Sequence, residues 1–300
     1  MNIVTGFISN INSRNDRDLS KYIAFGLELL SVEIPATVFV EREIFNTAIL
    51  PRLASLGGGR LSGAGREGEF VYQYRGGFMD GMRRRFSYEI HGQVVFVFFE
   101  KTDLFLWPFR SMANRFALNT GNPTKDTLEY VMVQCQKTEW LAIASQLGRD
   151  VRGGGGDKMV RKEYVWMDFG VFHMFHGKID VFQIELYKMR ARVDKRLLTS
   201  ERGESDAILF ARCWDPNHPY GGDIYKDINW SFAGSVFGGG SKAAQTFAVK
   251  MREKCFQILR ERNTLMWEIN IWLLIYRESG NGLFSLYPSD HSEIVFRGYT

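Results

Sequence analysis

Residues 3–40 read IVTGFISNINSRNDRDLSKYIAFGLELLSVEIPATVFV, and this stretch decides the fold class. Ile3 to Ser9 is a short apolar run of strand length. Leu19, Tyr22, Ile23, Gly26, Leu27 and Leu30 then recur at helical spacing behind Asp16 and Asp18, and Ala36 to Val40 is mostly β-branched and stops at Glu41. Strand, helix, strand predicts a parallel sheet with helices packed on it. Val94 to Phe99 is unbroken apolar sequence, as a strand buried on both faces should be. Pro123 opens a helix that keeps Leu128, Val131, Met132 and Cys135 on one apolar face up to Trp140. Tyr164 to Val171 reads as a strand carrying one acid, Asp168. Ala207 to Ala211 and Phe232 to Phe237 are further strand candidates, and two helices, Lys242 to Arg260 and Leu265 to Arg277, precede a tail from Tyr287 to Ile294. The glycine-rich stretches Gly57 to Gly68 and Gly153 to Gly156 read as loops. Without a repeat or long linker, the expectation is one α/β domain over 1–300 with a mixed, mostly parallel sheet flanked by helices.

Composition narrows the function classes. With 45% hydrophobic and 24% charged residues, the chain is neither disordered nor collagen-like. No window approaches the ~18 apolar residues needed to cross a bilayer, so no integral membrane segment is expected. The start, MNIVTGFISNINSRND, has no basic region ahead of its apolar stretch, which predicts a chain working in the cytoplasm or on a cytoplasmic face. Cys135, Cys213 and Cys255 are odd in number and far apart, so neither a disulfide framework nor a zinc knuckle is expected. A net charge of +4 falls short of the basic stripe of a nucleic-acid binder. The aromatic content, 14%, suits either a dense core or a pocket that stacks rings on bases or sugars.

Several constellations carry chemistry. Asp168 ends a hydrophobic strand, where parallel sheets bind ligands, and a divalent cation bridging to phosphates is a common partner for such an acid. Phe232 to Gly240 is glycine-dense and enters a helix at Ser241; glycines allow a backbone to approach a ligand, and a helix start offers free N–H groups. Glu268 and Asn270 interrupt an otherwise apolar helix, and the cost of burying an unpaired carboxylate argues that Glu268 faces a cleft. Asp290-His291 sets an imidazole near the end of the chain, while His173 and His176 would point to opposite faces of a strand. The triplet Arg83-Arg84-Arg85 beside Phe78 and Met82 is short for a membrane patch. Gly63 to Gly68, Arg149-Asp150 and Asp168-Phe169-Gly170 mimic protein-kinase motifs, yet Gly155 stands where the kinase asparagine belongs, and no strand-borne VAIK lysine follows the glycine loop.

The segments VTGFISNINSRNDRDLSKYI, NPTKDTLEYVMVQCQKTEW, YVWMDFGVFH, INWSFAGSVFGGG and MWEINIWLLIY leading to LYPSDH, taken in order, resemble the HtrL/YibB family of bacteria and large DNA viruses, which is classed with glycosyltransferases. The resemblance covers most of the chain except residues 57–93. It implies a GT-A fold, related to the Rossmann arrangement, with a nucleotide-binding half over about 1–170 and an acceptor-binding half over about 171–300.

More distantly, the last third resembles retaining galactosyltransferases of the histo-blood-group type, whose GGxFGG-like segment is followed by a Trp-x-x-Glu signature. Here the acid directly follows Trp267, as Glu268, and Asn270 takes the expected Glu position. The resemblance implies transfer of a sugar from a UDP- or GDP-sugar to a glycan or glycoconjugate acceptor. It also implies Mn²⁺ or Mg²⁺ on Asp168, the surviving acid of a DxD element, together with His291. Ser9, Asn10, Arg14, Glu41 and Lys125 would bind the nucleotide. Asp126, Trp230, Gly234, Gly238, Gly239 and Trp267 would line the sugars, and Glu268 and Asn270 would do the catalytic work. The alternatives are a catalytically silent sugar- or nucleotide-binding protein of the same fold and a kinase-like phosphotransferase. A silent protein would bind nucleotide without turnover; a phosphotransferase would depend on Asp150.

Overall fold

The computed structural model describes residues 1–9, 19–56, 65–150, 162–199 and 206–299. Residues 57–64 of the loop expected at 57–68, the loop expected at 153–156, and the site candidates Asn10 and Arg14 lie outside them, whereas Arg66 to Gly68 of the first loop are strand. In chain order come β1 (Asn2–Phe7), α1 (Leu19–Leu30), β2 (Ala36–Val40), the short α2 (Arg42–Ile44), α3 (Leu50–Leu56), β3 (Arg66–Gln73), β4 (Arg83–His91) and β5 (Val94–Phe98). The second half holds α4 (Leu128–Asp150), β6 (Glu163–Met167), α5 (Ile179–Thr199), β7 (Ile208–Arg212), β8 (Phe232–Gly240), α6 (Ser241–Arg262), α7 (Glu268–Ser279), β9 (Phe284–Pro288) and α8 (Ile294–Arg297).

The nine strands form one sheet in the order β3-β4-β5-β2-β1-β6-β8-β7-β9. The expected mostly parallel sheet is corrected to a mixed one. β5, β2, β1 and β6 run parallel, as do β7 and β9, but β3–β4, β4–β5, β6–β8 and β8–β7 are antiparallel. The physical reason is connection length. Parallel neighbours need a long crossover, which α1 supplies between β1 and β2, whereas β4 reaches β5 through a tight turn in which Gly92 adopts φ 57°. The β3–β4 hairpin falls in the segment that the family resemblance left uncovered.

Side chains alternate across the central strands, and both faces are covered. Val4, Phe39, Trp166, Phe237 and Phe210 meet Trp140, Leu141, Phe247 and Trp272 from α4, α6 and α7 in one core. Ile3, Val38, Val40, Val165 and Met167 meet Ile23, Leu27, Phe182, Leu186 and Met189 from α1 and α5 in the other. This explains why β2, β5 and β6 are buried at every residue and read as continuous apolar runs. No described helix is long and apolar enough to cross a membrane.

Local readings change: the helix expected to open at Pro123 and reach Trp140 runs from Leu128 to Asp150, behind a turn at 122–127. Gly238 to Gly240 are not a loop before a helix but the end of β8, paired with β6. The strand expected to run from Tyr164 to Val171 stops at Met167, and Val171 to Phe175 form a 3₁₀ turn in which the His173 ring nitrogen Nδ1 lies 2.6 Å from the Gly170 carbonyl.

Candidate functional site

Asp168 follows the last residue of β6, at the edge where the parallel strands β1, β2 and β6 end. Its N–H donates to the Ser235 carbonyl at 3.0 Å, which ties it to β8. Trp166, two residues earlier on the same face of the strand, donates its indole N–H to Asp168 Oδ1 at 2.9 Å. That face is covered by α4, whose Lys137 ammonium reaches the same oxygen at 3.0 Å.

Lys137 lies between two carboxylates. On its other side is Glu268 Oε1 at 3.3 Å, and it also donates to the Gly234 carbonyl at 3.2 Å. Its three N–H donors are thereby all engaged. The Lys137 and Glu268 side chains are 5% and 3% exposed, whereas Asp168 is 34% exposed, so the cluster opens to solvent through Asp168 alone. Burial pushes the Glu268 carboxyl above the ordinary carboxylate range, against the pull of the Lys137 ammonium, and Asp168 adds to the rise. Burial would lower Lys137, but Asp168 and Glu268 outweigh it and hold the ammonium above the usual lysine value. With all three groups ionised the cluster carries one net negative charge. Glu268 Oε2 is buried with no hydrogen-bond partner.

Gly234 has a steric reason to be glycine. A Cβ there would lie 2.8 Å from Glu268 Oε1. Gly238 and Gly239 have a different one: added Cβ atoms would fall 2.2 Å from the Tyr164 carbonyl oxygen and 2.7 Å from that of Ala207. Those two glycines serve the close packing of β8 on its neighbours.

The remaining candidates sort by place. Ser9 and Glu41 come together where β1 and β2 end, with the Ser9 N–H donating to Glu41 Oε2 at 2.6 Å. Asp126 accepts from the Thr120 N–H at 3.0 Å and from its hydroxyl, holding the turn ahead of α4. The Lys125 ammonium sits 6.0 Å from the Tyr130 ring, which packs edge-on against Trp267 at 5.4 Å. Trp267 is almost fully buried at the start of α7. Trp230 is half-buried and meets the His291 ring edge-on at 4.5 Å; burial holds the His291 imidazole below its usual range despite neighbouring Asp290.

Asn270 is turned away from the charged cluster's partners and organises a loop instead. Its amide donates to the Ile224 and Asp227 carbonyls at 2.7 Å each, and its oxygen accepts from the Asn229 N–H at 2.8 Å. Asn229 in turn accepts from the Ser231 N–H at 3.0 Å, so Asn270 fixes the loop that leads into β8.

Lys137 is the functional candidate that the sequence reading does not single out. It lies inside the matched segment NPTKDTLEYVMVQCQKTEW, but on a helix judged by its apolar face the run Gln136-Lys-Thr-Glu139 looks solvated. The kinase-like motifs do not assemble: Asp150 ends a helix, Gly68 lies within β3, and Phe169 packs against Gly26 and Tyr22 in the core.

Among the described residues no group of three or more His, Cys, Asp or Glu could hold a metal ion. Compared with protein-family profiles, with curated proteins and with solved structures, the chain matches none.

Proposed function

We propose that this chain is a glycosyltransferase with a GT-A-type arrangement, which moves a sugar from a UDP- or GDP-sugar to a glycan or glycoconjugate acceptor. The observation that carries the reading is the Asp168–Lys137–Glu268 cluster, set at the ends of parallel strands and open to solvent through Asp168. Ser9 and Glu41 at the neighbouring strand ends would face the nucleoside. The half-buried Trp230 would stack on the apolar face of a sugar.

Asp168 is the residue at which Mn²⁺ or Mg²⁺ would bind. Such ions bind through one or two carboxylates and complete their shell with phosphate oxygens and water. Asp168 supplies one accessible carboxylate, and the family resemblance would add His291, whose ring packs against Trp230. A diphosphate would meet a net negative cluster whose only ammonium has no N–H to spare, so a further cation at Asp168 is what this electrostatics calls for. When bound, the ion would neutralise charge on the departing nucleoside diphosphate. The chain's own part is to hold Asp168 in place through Trp166 and Lys137. Glu268, buried behind Lys137, is a positioning residue in this conformation: it reaches the substrate side only through that ammonium.

The test is thermal denaturation with UDP, GDP and ATP, each with and without Mn²⁺, followed by a transfer assay on Asp168→Ala. A ligand at a hundred times its Kd adds about 2.7 kcal/mol of stability. Metal-dependent stabilisation by UDP or GDP, with transfer lost in the variant, is expected. Stabilisation by none of them, or full transfer by Asp168→Ala, refutes the reading.

A further inference from the structure

Remote from β6, the tip of the β3–β4 hairpin docks on α6 and on the 3₁₀ segment Trp107–Met112. The Phe78 ring packs edge-on against Phe109 at 5.7 Å and against Phe256 of α6. These rings and Met112 line an apolar cleft of about 340 Å³, with Glu253, Gln257 and Arg260 at its border. Phe78 and Met112, on the cleft, are 51% and 38% exposed, and Met82, four residues after Phe78 on the same hairpin tip, is 52% exposed.

The charge around this apolar tip is mostly of one sign. Arg75, Arg83, Arg85, Arg110, Arg115 and Arg260 are all exposed. Of these, Arg85 pairs with Glu69, and Arg110 lies over the Trp107 ring; Arg75, Arg83, Arg115 and Arg260 make no ion pair with another described residue. Among the nearby acids, Asp103 is charge-paired with Arg84 and Glu253 with Lys250, while Asp80 accepts the Gly76 N–H and keeps its charge at the turn.

We infer that this hairpin tip is a docking surface for an anionic lipid bilayer: Phe78, Met82 and Met112 enter the interfacial region while the surrounding arginines meet the headgroup phosphates. The charge complementarity selects this occupant. Exposed rings and thioethers ringed by unpaired guanidinium groups match a surface that is apolar inside and negative at its rim. The glycines of the tip serve the same end. Gly76, Gly77 and Gly81 adopt φ of 70°, 66° and 78°, which brings the turn close enough to α6 that a Cβ on Gly76 would lie 3.0 Å from Val249 and leaves Phe78 at the apex.

The experiment is flotation of the full chain with vesicles of phosphatidylcholine alone and of phosphatidylcholine mixed with phosphatidylserine. Phe78→Ser/Met82→Ser and Arg83→Glu are run beside the parent protein, with Leu198→Ser, a change at an 87% exposed site on α5, as the control. The expected result is at least about tenfold more protein on the anionic vesicles, reversed by high salt. Arg83→Glu should lose about tenfold in binding at unchanged melting temperature, Phe78→Ser/Met82→Ser should lose as much while melting cooperatively somewhat below the parent, because Phe78 also packs on Phe109 and Phe256, and Leu198→Ser should lose nothing. Equal recovery on the two vesicle types, no recovery on either, or a tip-dependent dimer by light scattering in place of vesicle binding would overturn the inference.

Discussion

Lys137→Met tests the charged cluster directly. The substitution keeps most of the side-chain volume and removes the ammonium, leaving Asp168 and Glu268 without their shared partner. Asp168 is 34% exposed and water can take over its solvation, but Glu268, at 3%, cannot recruit it. Removing one partner of a buried ion pair costs about 3–5 kcal/mol, and that magnitude is expected near neutral pH. The cost should depend on pH in a definite direction. Glu268 is already raised by burial; without Lys137 it rises further, with only Asp168 and the buried Cys135 thiol left facing it. A carboxyl raised in the folded state destabilises that state above its unfolded pKa, and protonation relieves the penalty as the pH falls. The deficit should therefore shrink by up to about 1.4 kcal/mol per pH unit on acidification toward the unfolded glutamate value of about 4.3. Urea denaturation of parent and variant across weakly acidic to neutral pH measures this. The double variant Lys137→Met/Glu268→Leu should recover about 2–3 kcal/mol of the loss. A deficit below about 1 kcal/mol, or one that stays flat with pH, refutes the argument that Lys137 compensates a buried ionised Glu268.

Asn270→Ala leaves the Ile224 and Asp227 carbonyls and the Asn229 N–H without their side-chain partner; because Ile224 and Asp227 are partly exposed and water can satisfy them while Asn229 is buried, a loss of about 2–4 kcal/mol in urea denaturation is expected. Gly238→Ala sets a Cβ against backbone of β6 that cannot yield, so the variant should lose the cooperative transition or melt far below the parent by circular dichroism, whereas Gly234→Ala, which meets a movable carboxylate, should cost about 1–3 kcal/mol.

Much of the fold is legible in the chain. β1, β2, β5 and β6 are short apolar runs between turn signals, and their unbroken character marks a sheet covered on both faces, as the two cores confirm. Asp168 at a strand end follows from the same reading, whereas the Ser9–Glu41 contact is seen only in the structure. The mixed pairing does not follow from it either, because strand direction depends on which connections are tight turns, and a glycine-rich segment such as 57–93 hides its hairpin. α5 is left out of the sequence reading as well, although Phe182, Leu186, Met189 and Val193 recur at helical spacing.

The sequence by itself determined local conformation, the two-faced burial of the central strands and the placing of one acid at a strand end, because these depend on residue patterns a few positions long. Only the tertiary structure decided what Lys137 and Glu268 are. Read along α4, Gln136 to Glu139 form a polar turn bound for solvent. In the fold, α4 runs between the sheet and α6, every residue from Cys135 to Ser145 is buried, and of those polar groups only Thr138 bonds within the helix, to the Cys135 carbonyl, while the others reach elsewhere in the chain. Gln136 takes the Phe105 N–H, Glu139 takes Tyr72 and Arg252, and Lys137 takes Asp168 and Glu268, 31 and 131 residues away. Pairings across such separations are set by how the layers stack, since a buried charge is tolerated only where packing brings its counter-charge, and no local pattern encodes that meeting.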